Sequence, residues 1–204
     1  GQFDAIEKIR TLMNNNGMAN KALWVTEVGW QKTIGLDRQA YFTTNYLLLN
    51  DVKGAAEKTF LFRYVAAMPS AGNEEFGFLN DNADDVPFSA RPVMAAVANY
   101  NRIMSGAKYV SKITAGGVDV YRFKLSDGSD AAVYYSENSN NAIEIDFGAE
   151  SITYCDIYGN ETTLGSSDGK YCLNKTDGVN YVVGNFTKFE SASAVNKIDI
   201  SSDT

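Results

Sequence analysis

A chain of 204 residues, 45% of them hydrophobic, is long enough to bury one sizeable core or two smaller ones. Twenty-five acidic residues against 18 basic ones leave a formal charge of −7, which opposes nucleic acid and anionic membrane surfaces, because both need clustered Lys and Arg. Histidine is absent, so Ser-His-Asp and Cys-His catalysis, imidazole acid–base chemistry and the usual zinc sites are excluded, and chemistry is left to carboxylates, Tyr, Lys and Arg.

Phe3, Ile6, Ile9, Leu12 and Met13 recur at helical spacing, and Asn14 to Gly17 supply a stop, which predicts a helix over about 3–16. No signal peptide precedes it, and the chain opens almost directly into this pattern, as a trimmed chain does. A short β-rich run follows from Ala22 to Val28, then a polar loop over 31–36. Asp37 reads as the N-cap of a second helix through Tyr41, Leu47 and Leu48 to Val52, with Gly54 just beyond its end. A second strand-like run spans Thr59 to Tyr64; the apolar stretch around it contains Arg63 and falls well short of the roughly 20 residues of a membrane-spanning helix. Residues 65–90 are rich in Gly, Asn and Asp and lack periodicity, which marks a loop of the length kept for binding or catalysis. Pro92 opens a third helix and Gly106 closes it. Helices alternating with short strands indicate parallel βα units.

After Gly106 the texture changes to short alternating runs: 109–113, 118–125, 131–135, 142–147, 152–157, 171–173 and 181–183. Turn signals separate them at Asp127-Gly128, Tyr158-Gly159-Asn160 and Asp177-Gly178, which predicts an antiparallel β-sandwich over 107–190. Residues 191–204 are polar and read as a tail or an extra strand. Cys155 and Cys172 lie in neighbouring strand-like runs, bridged or simply buried. The stretch from Gly165 to Lys170 has the wrong spacing for a phosphate loop, and Asn80 to Asp85 lacks the glycine and terminal Glu of an EF-hand, so neither cofactor nor metal is expected.

One carboxylate stands out. Strict alternation along 22–28 puts Leu23, Val25 and Glu27 on one face and Trp24, Thr26 and Val28 on the other, so Glu27 points where the apolar residues point. A charge there is costly unless paired or used, and the C-terminal end of a parallel barrel strand is where catalytic groups sit. The bland alternative is a Glu27 that caps a helix or pairs with Arg63.

The stretch Leu23-Trp24-Val25-Thr26-Glu27-Val28-Gly29-Trp30 resembles the seventh-strand motif of clan A glycoside hydrolases, in which the Glu of a Trp-x-Thr-Glu-x-Gly context is the catalytic nucleophile. Gln39-Ala40-Tyr41 with its Leu-rich helix is similar to helix seven, and Lys58 to Tyr64 to strand eight. Phe76-Gly77-Phe78-Leu79 and Ala90-Arg91-Pro92-Val93-Met94-Ala95-Ala96 resemble the element that opens helix eight. Residues 108–190, with Asp156-Ile157-Tyr158-Gly159-Asn160, resemble the closing β-sandwich of family 39 and its relatives.

This resemblance implies the last two βα units of a (β/α)8 barrel over 1–106, a β-sandwich over 107–190, and a retaining glycosidase acting on O-glycosidic bonds of a carbohydrate substrate, with Glu27 as nucleophile. Trp30, Tyr64 and Trp24 are then candidates for a sugar subsite, although aromatics near barrel strands are more often core. A full barrel takes about 250 residues. The partner carboxyl follows an Asn on strand four in the family, and no such strand-borne pair occurs here; Asn73-Glu74 lies in the long loop. Chains reduced in this way are expected to lack acid/base function and to self-associate through exposed barrel edges. The competing readings are a non-catalytic carbohydrate-binding or interaction module, and a folded fragment without activity. Localisation is left open.

Overall fold

The computed structural model describes residues 2–65, 75–80, 85–137 and 142–192. Its first part runs α1 (Gln2–Asn15), β1 (Trp24–Val28), a 3₁₀ turn at Lys32–Ile34, α2 (Leu36–Lys53), β2 (Lys58–Leu61) and α3 (Pro92–Met104). Strands β1 and β2 pair in parallel, Trp24 opposite Lys58 and Val25 opposite Thr59, as the βα alternation predicts. Helix α2 ends where its sequence says it should. Gly54 takes the left-handed conformation and returns its N–H to the Asn50 carbonyl at 2.7 Å, while the Asn50 amide exchanges two 3.0 Å hydrogen bonds with the backbone of Ala56 and so aims the chain into β2. Its start differs from expectation: Gly35 is the N-cap, and Asp37 sits inside the first turn, where its charge still faces the positive end of the helix.

The second part contains β3 (Lys108–Ala115), β4 (Val118–Lys124), β5 (Asp130–Ser136), β6 (Ala142–Asp146), β7 (Ser151–Cys155), β8 (Glu161–Gly165), β9 (Lys170–Asn174), β10 (Gly178–Gly184) and β11 (Glu190–Ser191). They form a six-stranded sheet, β3-β4-β5-β10-β7-β8, and a three-stranded sheet, β11-β6-β9, and every pairing within the two is antiparallel. Val120, Ala132, Tyr134, Ile152 and Val182 of the larger sheet meet Ile143, Ile145, Tyr171 and Leu173 of the smaller one in a single core, the arrangement of a sandwich. Two strands are absent from the sequence reading. β8 (Glu-Thr-Thr-Leu-Gly) is a mostly exposed edge strand with a single large apolar residue, and β11 is only two residues long. Glu190 and Ser191 pair with β6, and residues 193–204 of the stretch read as a tail or an extra strand lie outside the described residues.

The two parts share a core. Leu48 of α2 and Tyr100 and Met104 of α3 pack with Phe123, Val133, Val179 and Tyr181 on the outer face of the larger sheet. Around this seam the Asn99 amide donates to the carbonyl of Asp156 at 3.0 Å, Arg102 pairs with Glu161 at 2.7 Å, and the Tyr158 hydroxyl donates to Asp37 at 2.6 Å. The Asp156 carboxylate in turn accepts from the N–H groups of Tyr158 and Asn160, both at 2.9 Å, and so builds the turn that presents Tyr158. Cys155 is buried and Cys172 exposed, both as free thiols; they occupy different sheets, so the bridge that sequence left open is not formed. Among the described residues no helix is long and apolar enough to cross a membrane.

Candidate active site

Glu27 lies near the C-terminal end of β1, but strict alternation does not place it there. The register between β1 and β2 shifts between Val25 and Val28. As a result Leu23, Val25 and Val28, not Leu23, Val25 and Glu27, pack with Ile6, Tyr46 and Ala55 on the helix side. The extra residue turns Glu27 out of the apolar face and leaves it exposed, which removes the cost of burying its charge. The Glu27 side chain makes no hydrogen bond or ion pair among the described residues. The pairing with Arg63 weighed from sequence is not formed: Arg63 donates from Nε to the Val65 carbonyl at 2.8 Å, and its guanidinium lies 5.5 Å from the Phe62 ring centre.

Gly29 is what allows the strand ends to close on one another. A Cβ at this position would lie 2.0 Å from the Phe62 carbonyl oxygen and 3.2 Å from the Phe76 ring, so only glycine fits. Immediately before it, the Phe62 N–H donates to the Val28 carbonyl at 2.7 Å. The Phe62–Arg63 peptide is cis, and the Phe62 and Phe76 rings meet edge to face at 5.4 Å.

The three aromatic candidates part company. Trp24 is 51% exposed, tilted against the equally open Phe60 at 6.3 Å and capped by the Lys58 ammonium 4.6 Å from its ring centre. Tyr64 is 65% exposed, just past β2. Trp30 is half-buried, edge-on to Tyr46 at 5.9 Å, in the cluster beneath β1.

Two polar residues without an expected role organise the loop beside these strand ends. Buried Arg91 donates to the Asn80 side chain at 2.8 Å and to the Glu75 carbonyl at 3.0 Å. Buried Gln39 joins the carbonyls of Trp30 and Gly77 at 2.8 and 3.3 Å. Their signal in the sequence was their place in the motifs around Gln39-Ala40-Tyr41 and Ala90-Arg91-Pro92; composition alone gives no reason to bury either. Asn73-Glu74, weighed as an Asn-Glu pair, lies outside the described residues. No group of acidic residues and cysteines among the described residues is arranged to hold a metal.

This fold is similar to part of the structures of clan A glycoside hydrolases of families 39 and 30, consistent with a C-terminal part. The chain is similar to a family 39 glycoside hydrolase from the gut symbiont Bacteroides cellulosilyticus WH2, with a TM-score of 0.70 and 21% identity over 88% of this chain and 38% of that one. It is also similar to a GH30 endoxylanase from Clostridium papyrosolvens C71 (TM-score 0.56, 15% identity, 86% of this chain and 44% of that one). The catalytic domain of the GH30 xylanase C from Talaromyces cellulolyticus gives a TM-score of 0.54 at 17% identity, over 82% of this chain and 41% of that one. This chain thus spans less than half the length of each of these structures. No protein-family model matches it, and no curated protein does.

Proposed function

We propose that this chain is the C-terminal portion of a retaining glycoside hydrolase acting on O-glycosidic bonds, with Glu27 as the nucleophile. The observation that carries the reading is a solvent-facing carboxylate at the C-terminal end of a parallel strand, without an ion-pair partner among the described residues and turned away from the helices by a local register shift. The two parallel strands with their helices are then the last units of a (β/α)8 barrel, and their bare face is its interior side.

In such an enzyme the Glu27 carboxylate attacks the anomeric carbon and the bond to the leaving oxygen breaks as a second carboxyl protonates that oxygen. The same second group then deprotonates water, which releases the sugar from Glu27 with its original configuration. That second carboxyl stands roughly 5 to 5.5 Å from the nucleophile in retaining enzymes, and the reading assigns it to barrel units this chain does not contain, so the 204 residues alone are inactive. Trp24 and Tyr64, with the half-buried Trp30, flank the sugar.

The test is made in the longer protein that carries these residues. A 2-fluoro glycoside of the cleaved sugar should leave its mass on the peptide containing Glu27, and Glu27→Gln should lower kcat by roughly a thousandfold or more while leaving the melting temperature unchanged. Labelling of a different carboxylate, or a Glu27→Gln enzyme that keeps its turnover, would overturn the assignment.

A further inference from the structure

A cleft of about 600 Å³ opens where α2 leaves the larger sheet uncovered, and none of its lining residues belongs to β1, β2 or the loop beside Glu27. Its volume lies within the range of small-molecule sites. Asp119 and Tyr121 alternate on β4, and Val120 pairs with Tyr134 of β5, so Asp119, Tyr121 and Tyr135 share the face that packs on the helices. Tyr121 and Tyr135 flank the shared core and also line the cleft, so each ring is anchored on one side and accessible on the other.

The polar groups in the cleft are unequally used. Lys175 is only 7% exposed, yet its ammonium donates to a single carbonyl, that of Gly116 at 3.1 Å, and forms no ion pair among the described residues. Two of its three N–H donors are therefore left over. Asn45, half-buried on α2, makes no side-chain hydrogen bond among the described residues. Acceptors stand with them: Glu137 takes a hydrogen bond from the Tyr135 hydroxyl, and Asp119 is held by Lys112 and Thr114 at 2.8 and 2.9 Å, each carboxylate having lone pairs to spare.

An anionic ligand would meet two carboxylates here, and a wholly apolar one would strand the buried Lys175 donors. A neutral polyhydroxylated ligand meets neither objection. Each of its hydroxyls both donates and accepts, so it satisfies the ammonium, the amide and the carboxylates together, while the C–H face of a pyranose covers a tyrosine ring. We propose that the cleft between α2 and the adjoining ends of β4 and β5 binds a neutral oligosaccharide at a site separate from Glu27. The site acts by holding a carbohydrate chain and uses none of the groups of the proposed hydrolytic reaction.

The experiment is an amide-resolved NMR titration of the 204-residue chain with xylohexaose and cellohexaose, and with a galacturonic acid hexamer as the charged probe. Saturable shifts at Asn45, Tyr121, Glu137 and Lys175 with a neutral hexasaccharide are expected. Asn45→Ala should weaken binding roughly threefold to tenfold, and Tyr121→Ala about tenfold. Glu27→Gln should leave it unchanged, which separates this site from the nucleophile reading. Asn45 makes no bond that its replacement would break, so that variant folds even if Tyr121→Ala does not. Absence of saturable shifts with both neutral probes, shifts confined to the surroundings of Trp24 and Glu27, tighter binding of the galacturonate hexamer, or binding indifferent to Asn45→Ala overturns the proposal.

Discussion

Glu27 and Gly29 are held in place by opposite means. The Glu27 carboxylate makes no hydrogen bond or ion pair among the described residues, so the backbone shift beneath it sets which way it faces. Gly29, by contrast, is fixed by a contact no side chain can share. Gly29→Ala brings a methyl group to 2.0 Å from the Phe62 carbonyl, where backbone must move to relieve the overlap. The expected result is a loss of about 1–3 kcal/mol of unfolding free energy, read by urea denaturation, together with displaced amide resonances at Phe62 and Phe76. Unchanged stability and unchanged resonances would refute the close approach. Glu27 was legible as a residue type at a strand end. The reason for its exposure was not, because a register shift is a relation between two strands and leaves no mark on either one alone.

At the scale of elements, Asp130 ties three pieces of the sandwich together. At the start of β5 it accepts from Arg122 at 2.9 Å and Lys124 at 3.0 Å, both on β4, and from the Phe186 N–H at 3.2 Å, beyond β10. Burial by itself would raise this carboxyl, but the hydrogen bonds from Arg122, Lys124 and Phe186 outweigh it and hold the group below the usual Asp range. A depressed folded pKa contributes stability that is fully present above the unfolded value of about 3.9 and is lost as the pH falls through the folded value. Unfolding free energy should therefore drop between about pH 5 and pH 2. Asp130→Asn should cost about 2–4 kcal/mol at neutral pH and flatten that acid slope, as urea titrations at several pH values would show. An acid slope identical in both proteins would sink the assignment. Neighbouring strands were readable here because alternation is a property of each segment; β8 was not, since an exposed edge strand needs no apolar residues to hold its hydrogen bonds.

For the whole molecule, the uncovered apolar surface is concentrated in the first part. Leu12 of α1 is 62% exposed and Ile9 46%, while Phe60 and Trp24 lie open on the face of β1 and β2 that carries no helices. An exposed apolar patch of this kind drives association. The isolated chain is expected to sediment as a concentration-dependent mixture of monomer and larger species, and a Leu12→Lys/Phe60→Lys variant should shift it towards monomer. Sedimentation as monomer alone at every concentration would contradict this expectation. The sandwich leaves less open, Tyr109 and Val110 of β3 among the described residues, because its two sheets bury their inner faces against each other and α2 and α3 cover much of the outer one.

Local chemistry in the sequence was enough to determine the alternation of helix and strand in the first part, the change to antiparallel strands after Gly106, and a carboxylate at a parallel strand end. Those features follow from side-chain period, turn residues and caps, which act over a few residues. Tertiary structure alone decided that Glu27 faces away from the helices, that Trp30 packs against Tyr46 while Trp24 stays open, that the two thiols sit in different sheets, and that Lys175 is buried in a cleft it shares with Asp119 and Glu137. Each of these depends on what a distant segment brings alongside, and no local period encodes it.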